Sequence, residues 1–341
     1  MEGKAAARRA WAPPTHEESC ACLQKQVRPQ QCRPCRGGAA EPLLVTAARS
    51  GLYQPKAPPA WGDWLADGGP GEVDRGGQTP EQWRQNCWPQ RLPEPPPRGR
   101  RKRTSNCKIY LVPLGDVASD LDIEALCDGV RAFYFGATVE LLPAVSQQKL
   151  RAQVKVDGGQ FETLSSQKLL TRMMPADATF LVGVTCNDLY KDGFGFVYGE
   201  ANATRGTGIF SFAQSPKDGL YTRHALKVLC HEMGHLFGIS HCIWWQCIMN
   251  GGNGHEVESM PLHLCPLDLA KLQEALGFDL VERERALEAM WVRHGLDDEA
   301  RFSQQLIGTL AKAAAPKATP VAGKTGVKAQ WKPSKPGAKG K

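Results

Sequence analysis

Within HEMGHLFGISHCIWWQCIMN, residues 231–250, three histidines, a glutamate, two cysteines and two methionines fall in twenty positions. His231 and His235 are four apart, so on a helix both imidazoles leave one face and reach the same ion, while Glu232 faces the open coordination position. HExxH is the spacing of zinc hydrolases, although alone it also fits two surface histidines. Gly238 lets the chain leave the helix in a conformation closed to residues with a Cβ, and three residues later His241 supplies a third nitrogen. Three neutral imidazoles leave the fourth position of a tetrahedral zinc to water, the pattern of a catalytic site. The ion lowers the pKa of that water towards about 7. Glu232 then takes its proton during attack on a polarised carbonyl and carries it to the leaving amine. That chemistry is peptide hydrolysis.

The ligands need a helix, and YTRHALKVLCHEMGHLFG, residues 221–238, predicts one, with Leu226, Leu229, Met233, Leu236 and Phe237 apolar and Gly238 as its stop. Upstream, KIYLVPLG (108–115) and ATVELLPAV (137–145) read as strands, with a helix between them capped by Asp120 or Asp122 and running to about Phe135. LSSQKLLTRM (164–173) reads as a helix and ATFLVGVT (178–185) as a buried central strand. FGFVYGEA and GIFSFAQ follow as short strands around the hairpin-like turn NATRGTG. Downstream, PLDLAKLQEALG and VERERALEAMWVR predict two more helices. The expected fold is α+β, a mixed sheet with helices in one unit over residues 106–295.

Long flanks surround that unit in the 341-residue chain. Residues 1–105 are rich in Pro, Gly and Arg without a sustained apolar period and read as mostly irregular, with Trp61, Trp64, Trp83 and Trp88 available to pin segments onto the body. Residues 296–341 read as a basic disordered tail. From Leu310 onward there are eight lysines and no acid, more than the whole chain's net charge of +7, so the basicity belongs to the tail and not to a face of the core. No apolar run reaches the roughly 18 residues that span a bilayer, and the N-terminus has no apolar signal segment. The chain is expected to be cytoplasmic or nuclear, not secreted, with no membrane partner. Twelve cysteines in that setting point to metal ligands or buried thiols before disulfides. RGRRKR, 98–103, reads as a nuclear address, a nucleic-acid contact or a solvated linker. Cys20, Cys22, Cys32 and Cys35 form CxC and CxxC pairs like those of a small zinc knuckle.

HEMGHLFGISH with the later Met249 resembles the metzincin zinc peptidases, and the likeness narrows with Cys242, Cys247, LCPLDL at 264–269, IYLVPLG, VGVTCNDLY, FVYGEA and GIFSF. In that order these motifs closely resemble the archaemetzincins over about residues 106–295. The resemblance implies a zinc metallopeptidase of aminopeptidase-like activity, a mixed-sheet subdomain above the active-site helix and a helical one below. It implies that Met249 forms a methionine turn beneath the histidines. It also implies a second, structural zinc on four cysteines, of which Cys242, Cys247 and Cys265 match three while Asp268 stands at the fourth. Asp268 can ligate through oxygen, or can favour the dipole at the start of the helix opened by Pro266 with no metal at all. His255 and His263 are the other candidates to complete that set.

Around the site, Cys230 reads as packing, His224 as a residue sharing the helix face of His231, and Tyr198 or Tyr221 as hydrogen-bond donors to a developing oxyanion. A peptide or protein substrate is expected along the strand GIFSF or its neighbour. The alternative is a non-catalytic zinc scaffold whose Lys-rich tail attracts nucleic acid or another acidic partner. Glu232 separates the two, because a scaffold has no use for a carboxylate beside the open position.

Overall fold

The computed structural model describes residues 43–54, 78–92, 106–115, 117, 121–251 and 260–314. The expectations for Trp61, Trp64, His255, RGRRKR, the knuckle-like cysteines and the lysine tail beyond residue 314 lie outside these residues. The fold is α+β. A five-stranded sheet is built from β1 (Lys108–Pro113), β2 (Thr138–Leu141), β5 (Phe180–Thr185), β8 (Gly199–Asn202) and β9 (Thr207–Ser211), in the order β2-β1-β5-β9-β8. The first four are parallel and β8 returns antiparallel along β9, pairing Asn202 with Thr207 and Gly199 with Phe210. A small second sheet joins β3 (Val156–Asp157), β4 (Gln160–Glu162), β6 (Leu189–Lys191) and β7 (Phe194–Val197).

β5 is buried along its whole length, as an uninterrupted apolar run between parallel neighbours requires. Side chains alternate between two cores. Ile109, Leu111, Phe180, Val182 and Phe210 face α3 (Ile123–Phe133) and α6 (Tyr221–Leu236), whereas Tyr110, Val112, Leu181 and Ile209 face α5 (Thr163–Met173) and the small sheet. Asp122 caps α3 by accepting from the amide of Ala125, one of the two caps expected there. The short helix α4 (Gln147–Arg151) lies between β2 and β3. GIFSF, offered above as the substrate edge, is β9 and lies inside the sheet; its neighbour β8 is the edge.

The helical half corrects the expected tail. After α7 (Pro266–Leu276) and α8 (Leu280–Arg293), residues Asp297–Ala314 form α9, so the folded body does not end at 295. Leu296, Ala300, Ser303, Leu306 and Leu310 recur at helical spacing and are buried, and three acids in the first turn match the positive end of the helix. Arg223 of α6 pairs with Glu299 of α9 at 2.6 Å, and Ser303 donates to Glu284 at 3.3 Å. Two short helices also emerge from the N-terminal flank, α1 (Leu43–Arg49) and α2 (Pro80–Asn86). Trp83 pins the second onto the body and is wholly buried, tilted 5.0 Å from Trp88. No helix of the described residues is long and apolar enough to cross a membrane.

Candidate active site

α6 runs under the sheet edge against β8 and β9 and carries His231, Glu232 and His235. Both His231 and His235 are aimed by a backbone carbonyl. His231 Nδ1 lies 2.7 Å from Ile248 O, and His235 Nδ1 lies 2.8 Å from Ile239 O. A carbonyl only accepts, so each Nδ1 carries the proton and each Nε2 presents a bare lone pair. Those two Nε2 atoms face each other at 3.2 Å, a distance at which neutral imidazoles with no proton between them repel. A cation between them removes the conflict, and the residues therefore fit a bound metal.

The third histidine comes from the turn after the helix. Gly238 adopts φ 71°, and a Cβ there would run into the carbonyl of Cys87. The turn brings His241 to ring-centroid distances of 5.4 Å from His231 and 5.0 Å from His235. One ligand nitrogen from each of the three lies within 4.8 Å of the others. Burial lowers the pKa of His231 and takes His235 down to about 4, with His231 adding to the effect, so the rings stay neutral and able to ligate. Burial raises Glu232, opposed by the adjacent His235.

Met249 is fully buried below this helix. Its sulfur occupies the space a side chain at Gly234 would need, so the glycine inside HEMGH is what admits the methionine. The amide of Cys242 donates to Met249 O at 2.7 Å, which closes the turn.

A second cluster lies one residue beyond His241. One ligand atom each from Cys242, Cys247, Cys265 and Asp268 falls within a common 4.8 Å, and all four residues are buried. Cys242 Sγ is 3.6 Å from Cys265 Sγ, and Asp268 Oδ2 is 3.3 Å from Cys247 Sγ and 3.5 Å from Cys265 Sγ. Against its burial, hydrogen bonds from Cys247 and Cys265 pull the Cys242 thiol well below its ordinary range, while burial raises the other two. Burial also lifts Asp268 to about 6, despite an ammonium beside it. Three sulfurs and a carboxylate oxygen thus converge in a buried pocket; each can ligate zinc, although the carboxylate stands where closed structural sites carry Cys or His.

The remaining candidates separate. His263 stacks on Phe302 at 3.9 Å and edges Tyr53 at 5.5 Å, away from the cysteine cluster. His224 is buried 3.8 Å from Asp218 and outside the histidine cluster. Tyr221 is buried with its hydroxyl 3.4 Å from Phe212 O, and Tyr198 is half-buried against Phe196. Cys230 is core: burial pushes its thiol up, and its carbonyl accepts from Tyr134 at 2.7 Å.

Sequence reasoning missed Gln78, Asn250 and Lys271. Asn250 accepts from the amide of Cys247 and donates at 2.9 Å to the carbonyls of both Cys242 and Trp245, which shapes the cysteine loop. Lys271 stands three residues after Asp268, a helical spacing that could have flagged it.

Residues 162–272 match the model of Peptidase family M54. Archaemetzincin-2 of Rattus norvegicus is 33% identical over 236 residues, 56% of this chain and 64% of the relative, and Archaemetzincin-2 of Homo sapiens is 33% identical over 237 residues with the same shares. Archaemetzincin-1 of Homo sapiens is 30% identical over 233 residues, 47% of its length. The chain thus spans less than two thirds of the length of these relatives. Among solved structures, the archaemetzincin of Archaeoglobus fulgidus complexed with malonate is 28% identical with a TM-score of 0.41, covering 48% of this chain and 99% of its own. That of Methanopyrus kandleri is 24% identical with a TM-score of 0.43, covering 53% and 98%.

Proposed function

We propose that this chain is a zinc-dependent metallopeptidase of the archaemetzincin family, with His231, His235 and His241 as the ligands of one zinc. The observation that carries the reading is the pair of bare Nε2 atoms held 3.2 Å apart by two carbonyls. A bound zinc supplies Lewis acidity towards water and towards a peptide carbonyl. Glu232 is the base: its carboxylate takes the proton of the attacking water and delivers it to the departing amine. The half-buried setting that raises its pKa favours proton acceptance over solvation of the charge. Among the described residues β8 is the edge strand of the sheet beside α6, the place where an extended peptide would add to the sheet.

Met249 serves as the floor of the histidine site, and Cys242, Cys247, Cys265 and Asp268 hold a second zinc that clasps the loop below it. Aminopeptidase-like cleavage is the expected mode by family likeness. The test is incubation of the zinc-loaded chain with an unbiased peptide mixture, with products read by mass spectrometry before and after chelation. Loss of single N-terminal residues establishes aminopeptidase action and internal cuts establish an endopeptidase. A folded chain holding zinc that cleaves nothing would favour the scaffold reading instead.

A further inference from the structure

The turn that ends α6 is held by side chains from about 160 residues earlier in the chain. Trp83 Nε1 donates to Phe237 O at 2.8 Å and Gln78 Nε2 donates to Gly238 O at 2.9 Å, while the amide of Ser240 donates to Gln78 Oε1 at 3.2 Å. The same Oε1 accepts from Lys271 Nζ at 3.0 Å, and that ammonium also reaches Asp268 Oδ1 at 2.7 Å. Gln78, Lys271 and Asp268 are each at most 3% exposed. The segment itself is well anchored. Thr79 and Gln82 form a capping box around Pro80, and Arg84 pairs with Glu274 of α7.

We propose that Gln78 is a positioning residue for His241, and that through Lys271 it ties the histidine site to the Cys242, Cys247, Cys265 and Asp268 site. This rests on the zinc reading above. The last carbonyls of a helix have no partner within it, and a glycine turn alone resists deformation weakly. Trp83 and Gln78 supply donors to the carbonyls of residues 237 and 238, and Gln78 also accepts from the amide of residue 240. The next two residues, His241 and Cys242, belong to different clusters, so any shift of this turn displaces a donor of each. Lys271 meanwhile holds Asp268 by Oδ1, which leaves Oδ2 aimed at the thiols. Gln78 lies outside the segment matched to Peptidase family M54, so the clasp reaches the matched segment from the N-terminal flank.

The experiment measures zinc affinity by chelator competition and the absorption of the cobalt-substituted full-length chain, where thiolate-to-cobalt bands report the cysteine site separately from the histidine site. Gln78→Leu removes all three bonds at similar size. Gln78→Glu keeps the acceptor for Ser240 and Lys271 but loses the bond to Gly238. Arg84→Gln loosens the anchoring of the same segment without touching the clasp. Gln78→Leu should weaken the histidine site about 10–100-fold and alter its cobalt spectrum, as loss of a group that orients a ligand does. Gln78→Glu should fall between it and wild type, and Arg84→Gln should match wild type. Unchanged affinity and spectrum in both Gln78 variants overturns the proposal, as does an equal loss in Arg84→Gln. Should Gln78→Leu not fold, Gln78→Glu alone decides by the same criterion. A wild-type chain that binds no metal at its histidines defeats the zinc reading itself, a result distinct from either.

Discussion

One carboxylate, that of Asp268, is shared between a cation and a thiol cluster: its Oδ1 lies 2.7 Å from Lys271 Nζ and its Oδ2 lies 3.3 Å from Cys247 Sγ. In the proposed second zinc site, three thiolates and a carboxylate around a dication would leave excess negative charge in a buried pocket, and Lys271 would offset part of it. Asp268→Asn keeps the shape, removes the charge and leaves the ammonium buried. It should drop the zinc content from two per chain to one under chelator competition and destabilise the fold by about 3–5 kcal/mol. Metal analysis alongside denaturant unfolding checks both.

Gly234 is predicted to tolerate no side chain. A methyl group there meets the sulfur of Met249, and the surrounding core is closed. Gly234→Ala should cost about 1–3 kcal/mol through overpacking. Paired with Met249→Leu, which moves the obstructing atoms, part of the loss should return; a double-mutant cycle with no coupling would contradict this contact.

Leu306 tests whether α9 is part of the body. It is wholly buried on a helix that an unstructured tail would not contain. Leu306→Ala should lower stability by about 2–5 kcal/mol in equilibrium unfolding, whereas a mutation in a tail would leave it unchanged.

His263 gives a pH prediction of definite sign. Burial lowers its pKa from 6.5 to about 4, so the folded chain favours the neutral ring. A base depressed in the folded state contributes stability that is full above the unfolded value and lost as pH falls. The stability of wild type relative to His263→Phe should therefore rise between about pH 4 and 6.5, by about 3 kcal/mol, and be level above that. Buried carboxylates titrate in the same window with opposite sign, which is why the difference between the two proteins, and not the raw curve, is the quantity to measure.

The histidine site was legible because its geometry is local. Two ligands one helical turn apart, a glycine that must take a positive φ and a third ligand three residues on are all within eleven positions. The buried strand β5 was legible for a similar reason, since an uninterrupted apolar run admits few other environments. The clasp was not, because Gln78 meets Gly238 across 160 residues and nothing in GGQTPEQW beyond its capping pattern marks it. FGFVYGEA read as one strand but divides at Tyr198, where β7 leaves the small sheet and β8 enters the large one. α9 was hidden by the lysines that follow it, whose charge dominated a stripe of spaced apolar residues.

The most direct test of the central claim is the turnover of zinc-loaded Glu232→Gln against wild type on one cleaved peptide, with zinc per chain measured in both. The variant keeps the size of the side chain and every histidine, and loses only the proton acceptor. Peptide hydrolysis falling by about 100- to 10,000-fold at unchanged zinc content is the predicted result. Cleavage at the wild-type rate by a zinc-loaded variant would contradict it and remove Glu232 from the chemistry.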